Sequence, residues 1–497
     1  MELQSIPSRG KFRELAQRGN VIPVYSDWVA DSETPVSSFS KLDRGGYSFL
    51  FESTEKNDVS GRFSFVGTDP AIVIRSRDDE ITITDSGETR KFRSSSDPLV
   101  ELRQLMARYR FVNRPELPRF VGGAVGFLGY DAARFFEPTV PVAEHDDLSL
   151  PEMLFVIAGA VVVFDHRLRM VRVLNNAFLN AGDDPDKVYD RAQQRICEIL
   201  DLLKAPTNLP PLAIDCPRLP LSPRSSLDRE EFKQLVRQTK DHITRGDIFQ
   251  LVLSRRFEVD FDKDALALYR CLRFVNPSPY MFCLNFAGEF SLVGSSPEMH
   301  VRVVDGLVEI RPIARTRKRG RTPDEDERNA ADLLADAKER AEHVMLLDLA
   351  RNDLGRIAEF GSVRVTEQMG IERYSHVMHI VSHVVARLRG GQDAYDVLRA
   401  TFPAGTVSGA PKVRAMQLIS DLEKRKRGSY AGAVGYFGFD GNLDSCIALR
   451  SVVLKNGRAY IQTGAGIVAD SVPDAEYDET ENKAAAMMLA LNMARAN

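Results

Sequence analysis

Between residues 47 and 175 the apolar positions come in short runs, rich in β-branched and aromatic residues and cut by turn residues. The pattern predicts strands over 47–51, 62–67, 71–75 and 80–84. Runs at 153–164 and 170–174 flank Asp165-His-Arg-Leu168 and predict a hairpin. From 184 to 204 the period lengthens to that of an amphipathic helix. Six prolines then fall between 204 and 228, and this composition break predicts a linker over 206–227 between a region 1–205 and a region 228–497. Beyond it, Ser226 with Glu230 and Glu231 downstream predicts a capped helix that turns Phe232, Leu235 and Val236 inward.

The second half mixes both periods. Strands are predicted over 249–259, 280–286, 291–294, 300–304 and 307–310, a long helix over 324–353, and a strand over 460–468 that runs into a Gly-rich turn. A helix over 473–494 starts at Pro473, where a missing N–H costs least. One internal echo stands out: Gly122-Gly-Ala-Val-Gly-Phe-Leu-Gly-Tyr-Asp131 returns as Ala431-Gly-Ala-Val-Gly-Tyr-Phe-Gly-Phe-Asp440. It predicts two glycine-rich strands in similar environments, where small residues let another backbone approach.

Composition narrows the classes. The 497 residues carry 66 Lys plus Arg against 70 Asp plus Glu, so no global basic excess points to nucleic acid. The basic run 311–321 reads as a solvated loop or as an anion site. Cys197, Cys216, Cys271, Cys283 and Cys446 are scattered, which fits free thiols in a reducing compartment. The longest apolar stretch, 154–164, is too short for a bilayer, and the N-terminus lacks a signal core. The expectation is a cytoplasmic protein.

Several spacings suggest chemistry. Glu476, Glu479 and Lys483 fall at i, i+3 and i+7 and share one helix face with Ala486, Met487 and Ala490. Either this is an exposed acidic first turn, or the paired carboxylates meet a cation such as Lys483 or Mg²⁺. Glu342 stands beside Met345, Leu346 and Leu349, at the rim of an apolar face or partnered within it. Gly464-Ala-Gly466 is a turn whose amides can face an anion. Thr406, Ser408 and Lys412 are candidate oxyanion binders, and Arg450 a carboxylate fork. His376, His379 and His383 share one segment at helical metal-ligand spacing but without an HExxH pattern, which favours acid–base work over zinc.

These segments together resemble the chorismate-utilising enzymes, and within them the large component I subunits of anthranilate synthase. The motifs are Ile248-Phe-Gln-Leu-Val-Leu-Ser-Arg255, Gly294-Ser-Ser-Pro-Glu298, Arg311-Pro-Ile-Ala314, Ala341-Glu-His-Val-Met-Leu-Leu-Asp-Leu-Ala-Arg-Asn-Asp353, the loop 403–412, Gly464-Ala-Gly466 and Pro473-Asp-Ala-Glu-Tyr-Asp-Glu-Thr-Glu-Asn-Lys483. The resemblance implies an α+β fold, a large antiparallel β-sheet sandwich with outer helices. It implies Mg²⁺ held by Glu342 and Glu479 with Glu476 beside them. Tyr430, Arg450, Thr463, Gly464, Ala465, Gly466 and Lys483 become substrate holders. Glu298 becomes the acid for the departing C4 hydroxyl of chorismate, and His379 the histidine beside the ring.

The resemblance also separates sister activities. Isochorismate- and salicylate-forming relatives carry a water-activating Lys where this chain has Gln250. Aminodeoxychorismate synthases typically carry a nucleophilic Lys where it has Ala314. An amide and a methyl supply neither base nor nucleophile, so ammonia adding at C2 fits best, and the implied products are anthranilate and pyruvate at the first committed step of tryptophan biosynthesis. Ammonia is implied to come from a separate glutamine amidotransferase subunit. Feedback by tryptophan is implied at Glu52, Ser53, Asn276, Pro279, Tyr280 and Met281. Thr316 matches the family, whereas Arg315 stands where it usually has Gly. Aminodeoxychorismate synthesis and a non-catalytic tryptophan-binding regulator are the alternatives.

Overall fold

The computed structural model describes residues 5–29, 31–54, 61–94, 97–214, 221–373 and 377–497, with backbone alone at 314–316, 318, 337–339 and 377. Cys216 and His376 therefore lie outside the described residues. Among the described residues the strands form two twelve-stranded sheets, and the strand pairs are antiparallel. The first sheet joins strands such as Val21–Val29, Tyr47–Glu52 and Ala160–Asp165 to Tyr280–Phe286, Arg458–Ile467 and Gln250–Asp260. The second joins Ile72–Arg77, Gly123–Leu128 and Met153–Ala158 to Ala433–Gly438, Met299–Val304 and Val377–Arg387. Regions 1–205 and 228–497 thus contribute strands to both sheets.

Alternation decides which face of each strand is buried. Phe49, Val161, Phe282 and Leu292 of the first sheet meet Val125, Phe127, Val156 and Val434 of the second in one core layer. The outer face of the first sheet is covered by helices Pro185–Lys204, Ala265–Val275 and Pro473–Ala496. Helices Pro98–Met106, Ala394–Thr401 and Lys412–Glu423 pack into a further core layer. Among the described residues no helix is long and apolar enough to cross a membrane.

The glycine echo resolves into neighbours. Gly123–Leu128 and Ala433–Gly438 pair directly, Gly126 opposite Gly435. A Cβ on Gly435 would stand 2.1 Å from the Asp444 carbonyl oxygen, so only glycine admits the next strand there.

Four local expectations change. The run 153–164 is two strands, Met153–Ala158 and Ala160–Asp165, and the break at Gly159 sends them into different sheets. The long helix divides at Asp336, whose backbone is extended, into Pro323–Ala335 and Ala337–Gly355. The helix after the Pro-rich stretch is capped by Asp228, not Ser226, in a reciprocal box with Glu231. Within that stretch, Arg224–Ser225 already pairs with Gln250–Asp260.

Candidate active site

The strands Gln250–Asp260 and Arg458–Ile467 run side by side, with Ser254 opposite Gly464 and Leu253 opposite Ala465. Gly464, Ala465 and Gly466 are therefore strand residues and not the turn their spacing suggested. Their small size still matters. The Tyr430 hydroxyl lies 2.8 Å from where a Gly464 Cβ would be, and Gln250 Nε2 lies 2.9 Å from that of Gly466. Tyr430 and Gln250 thus converge on one glycine-rich stretch of strand. Both are buried, and Gln250 Oε1 has no hydrogen-bond partner.

The terminal helix Pro473–Ala496 crosses the same strand. Lys483 Nζ donates to the Gly464 carbonyl at 2.8 Å and pairs with Glu479 at 2.8 Å. The Thr463 hydroxyl donates to the Thr480 carbonyl at 3.0 Å, so Thr463 ties the strand to this helix. Glu476 and Glu479 are half-buried on the helix face that bears Lys483.

Glu298 follows the strand Phe290–Ser296 and is only 7 % exposed. Burial raises its pKa to about 8, while the Thr406 hydroxyl, the Ile313 amide and the Lys483 charge pull the other way. It lines a pocket of about 30 Å³ with His300, Pro312, Gly405, Thr406 and Ile447. The Lys483 influence places Glu298 in the field of the terminal helix.

Arg450 is half-buried, with a left-handed backbone at φ 47°. Burial lowers its pKa, a cation held without an offsetting acid. Its Nη1 donates to Asn276 Oδ1 at 3.4 Å, and its carbonyl accepts from the Ser295 amide. A desolvated guanidinium of this kind is prepared for a carboxylate.

The third side comes from the helix Ala337–Gly355 packed on the strand Val377–Arg387. Glu342 is half-buried on the helix, and the next residue, His343, is buried with Nε2 2.6 Å from the Ser382 hydroxyl. His379 is buried in the strand opposite Thr316. The segment is a strand, so His379 and His383 do not have helical metal-ligand spacing, and His383 Nδ1 instead meets the Thr366 hydroxyl at 3.0 Å. The register slips between Ala314 and Thr316, which makes Arg315 the extra residue of a bulge.

The carboxylates Glu342, Glu476 and Glu479 are of the donor type a hard divalent cation takes, so their chemistry fits Mg²⁺. They are not preassembled: among the described residues no three acidic, His or Cys side chains are grouped for a metal. Two other expected oxyanion binders are already engaged. Ser408 donates to the Ala404 carbonyl at 2.9 Å, and Lys412 pairs with Asp353 at 2.7 Å. In the basic run, Arg311 pairs with Glu372, and Arg319 with Asp326 at 2.7 Å.

Sequence reasoning missed Arg427. It is 1 % exposed, pairs with buried Glu423 at 2.6 Å and donates to the carbonyls of Val407 and Val252. Its guanidinium lies 5.7 Å from the Tyr430 ring centroid, so it supports the tyrosine from behind. An Arg four residues after a Glu is an ordinary surface pair in sequence, and only the contacts to the Val252 and Val407 carbonyls, from other parts of the chain, show that this one is buried behind Tyr430.

A second and larger pocket, of about 100 Å³, opens between the sheets. Glu52, Ser53, Pro279, Tyr280 and Met281 line it, and Phe51, Phe63 and Phe65 add aromatic wall. Glu52 accepts from Tyr269 and pairs with Arg273 at 3.1 Å. Asn276 is not in the lining. It donates to the Ser295 hydroxyl at 2.6 Å and accepts from Arg450, which places it toward the other site. Cys446 lines the large pocket and the next strand residue, Ile447, lines the Glu298 pocket, so the strand Leu443–Ile447 separates the two.

Comparison with known proteins gives one consistent family. Residues 47–489 match the family described as chorismate binding enzyme. Anthranilate synthase component 1 of Aquifex aeolicus is 46 % identical over 483 residues, 97 % of each chain. That of Acetivibrio thermocellus is 44 % identical over 98 % of this chain and 99 % of its own. The crystal structure of anthranilate synthase component I from Streptococcus pneumoniae superposes with a TM-score of 0.77 at 36 % identity, over 93 % of this chain and 98 % of the other. The menaquinone-specific isochorismate synthase MenF of Escherichia coli, 20 % identical, shares the fold with a TM-score of 0.70 over 97 % of this chain and 98 % of its own.

Proposed function

The chain belongs to the chorismate-binding enzymes, and from that premise we propose that it converts chorismate and ammonia to anthranilate and pyruvate as component I of an anthranilate synthase. The observation that carries this reading is a buried Glu298 that keeps its proton up to about pH 8, in a site that offers a neutral Gln250 amide in place of a basic lysine. Hydroxide leaves a ring poorly unless protonated, so a protonated carboxyl group is the required acid. Ala314 supplies no amine either, and the attacking nitrogen is free ammonia.

Arg450, Tyr430 and the Gly464–Gly466 strand hold the carboxylates of chorismate. Glu298 gives its proton to the C4 hydroxyl, which departs as water while ammonia adds at C2. Loss of the C2 proton and of enolpyruvate, released as pyruvate, then leaves the aromatic product. His379 lies beside the ring. Glu342 and Glu479, with Glu476 beside them, would hold Mg²⁺, which when bound would offset the negative charge of the substrate's ring carboxylate and draw charge from the ring. The ammonia is delivered by a glutamine amidotransferase subunit. The aromatic pocket between the sheets is the place for tryptophan as a feedback inhibitor, with Ser53 on its amino acid moiety and Pro279 and Met281 against its indole.

Purified chain given chorismate, Mg²⁺ and an ammonium salt is expected to release fluorescent anthranilate without any lyase. Accumulation of aminodeoxychorismate would assign the sister activity. Tryptophan binding without turnover would assign a regulator instead.

A further inference from the structure

The motif residues 248–255 end on an arginine to which the reaction gives no role. Arg255 is 1 % exposed, and its fork is spent almost wholly on the terminal helix. Nε donates to the Thr480 hydroxyl at 2.8 Å and Nη1 to the Tyr477 hydroxyl at 3.1 Å, while Nη2 pairs with Glu481. Nη1 also donates to Ser225 at 3.1 Å, in the short strand of the Pro-rich stretch. The guanidinium lies 3.9 Å from the Tyr477 ring centroid and 4.5 Å from that of Phe257.

These contacts sit where the helix needs them. It begins at Pro473 without a side-chain cap, and partners on other elements hold its first turns: Arg229 and Lys233 pair with Asp474 at 2.8 and 3.1 Å, Arg229 also pairs with Asp478, and Arg255 meets Tyr477, Thr480 and Glu481 one turn further on. Its second half is held differently, by Ala484, Met487, Ala490 and Leu491 buried in the core shared with helix Ala265–Val275. Tyr477, Thr480 and Glu481 face Arg255. At 100° per residue, Glu476, Glu479 and Lys483 lie roughly 120° round the helix from them.

We infer that Arg255 is a positioning residue: it fixes the rotation and register of residues 474–483, and so sets where Glu476, Glu479 and Lys483 stand over the Gly464 strand. Thr463, opposite Arg255 in the ladder, adds the bond from its hydroxyl to the Thr480 carbonyl. A lysine cannot replace the fork, because a point charge on a flexible stem cannot meet three helix partners at once. The magnesium part of this inference rests on the proposed function.

The test compares Arg255→Lys and Arg255→Met with Arg256→Lys. Arg256 is also buried in the same strand but bonds to Gln462 and the Lys426 carbonyl, away from the terminal helix. Hydrogen exchange is followed in peptides covering 474–483 and 484–496, and Mg²⁺ binding by calorimetry. Both Arg255 variants are expected to exchange at least tenfold faster over 474–483 with 484–496 unchanged, and to bind Mg²⁺ at least tenfold more weakly. Arg256→Lys is expected to do neither. Unchanged exchange over 474–483, faster exchange along the whole helix in all three variants, or unaltered Mg²⁺ affinity would overturn the inference. Absence of Mg²⁺ binding in the unsubstituted protein would sink the magnesium reading alone, and the exchange pattern would then decide on Arg255.

Discussion

At the scale of single residues, Glu298 shows how position makes a carboxyl group an acid. Its motif was readable in sequence, but its protonation state was not, because burial comes from residues such as Leu349, Gly405 and Ile447 that lie far along the chain. With a pKa of about 8, kcat should hold through neutrality and fall about tenfold per unit above pH 8. Glu298→Gln should lower kcat by at least about 100-fold. It should also change stability in a definite direction. The folded pKa is raised, so this group's contribution is fully present below the unfolded value near 4.5 and is lost as pH climbs toward 8. Denaturant titrations should show that loss in the unsubstituted protein, and a flatter profile in Glu298→Gln. Arg450→Met should raise KM for chorismate about 10- to 100-fold, the worth of one charge-assisted hydrogen bond. An unchanged KM would place the carboxylates elsewhere.

At the scale of elements, periodicity located most strands and helices because their buried faces repeat at two or 3.6 residues. It failed where the chain changes partner without changing composition. The 153–164 run is uniformly apolar, so nothing in it signals that Gly159 moves the chain from one sheet to the other. The Gly464–Gly466 segment looked like a turn, but its glycines are there to admit Tyr430 and Gln250. The repeated Gly-Ala-Val-Gly was correctly legible as a close-approach signal, and its two copies turned out to pair with each other. Gly435→Ala would drive a methyl into the Asp444 carbonyl, and should cost about 1–3 kcal/mol in urea unfolding.

At the scale of the molecule, the two sheets place a buried acid and an aromatic pocket on opposite sides of the strand Leu443–Ile447. Motifs could assign residues to each site, but only the fold shows that the sites share this wall, and that Asn276 stands at Arg450 and not in the pocket. Ser53→Tyr should fill the pocket and weaken tryptophan binding at least tenfold by calorimetry, and an unchanged affinity would move the effector site elsewhere. The catalytic reading depends in turn on helices Ala337–Gly355 and Pro473–Ala496 sharing one cation. Calorimetric titration of Mg²⁺ into the unsubstituted chain, Glu342→Gln and Glu479→Gln, each with chorismate present, measures this directly. One site per chain, lost in both variants, is the predicted result, whereas a variant that binds Mg²⁺ as tightly as the unsubstituted chain would contradict the account.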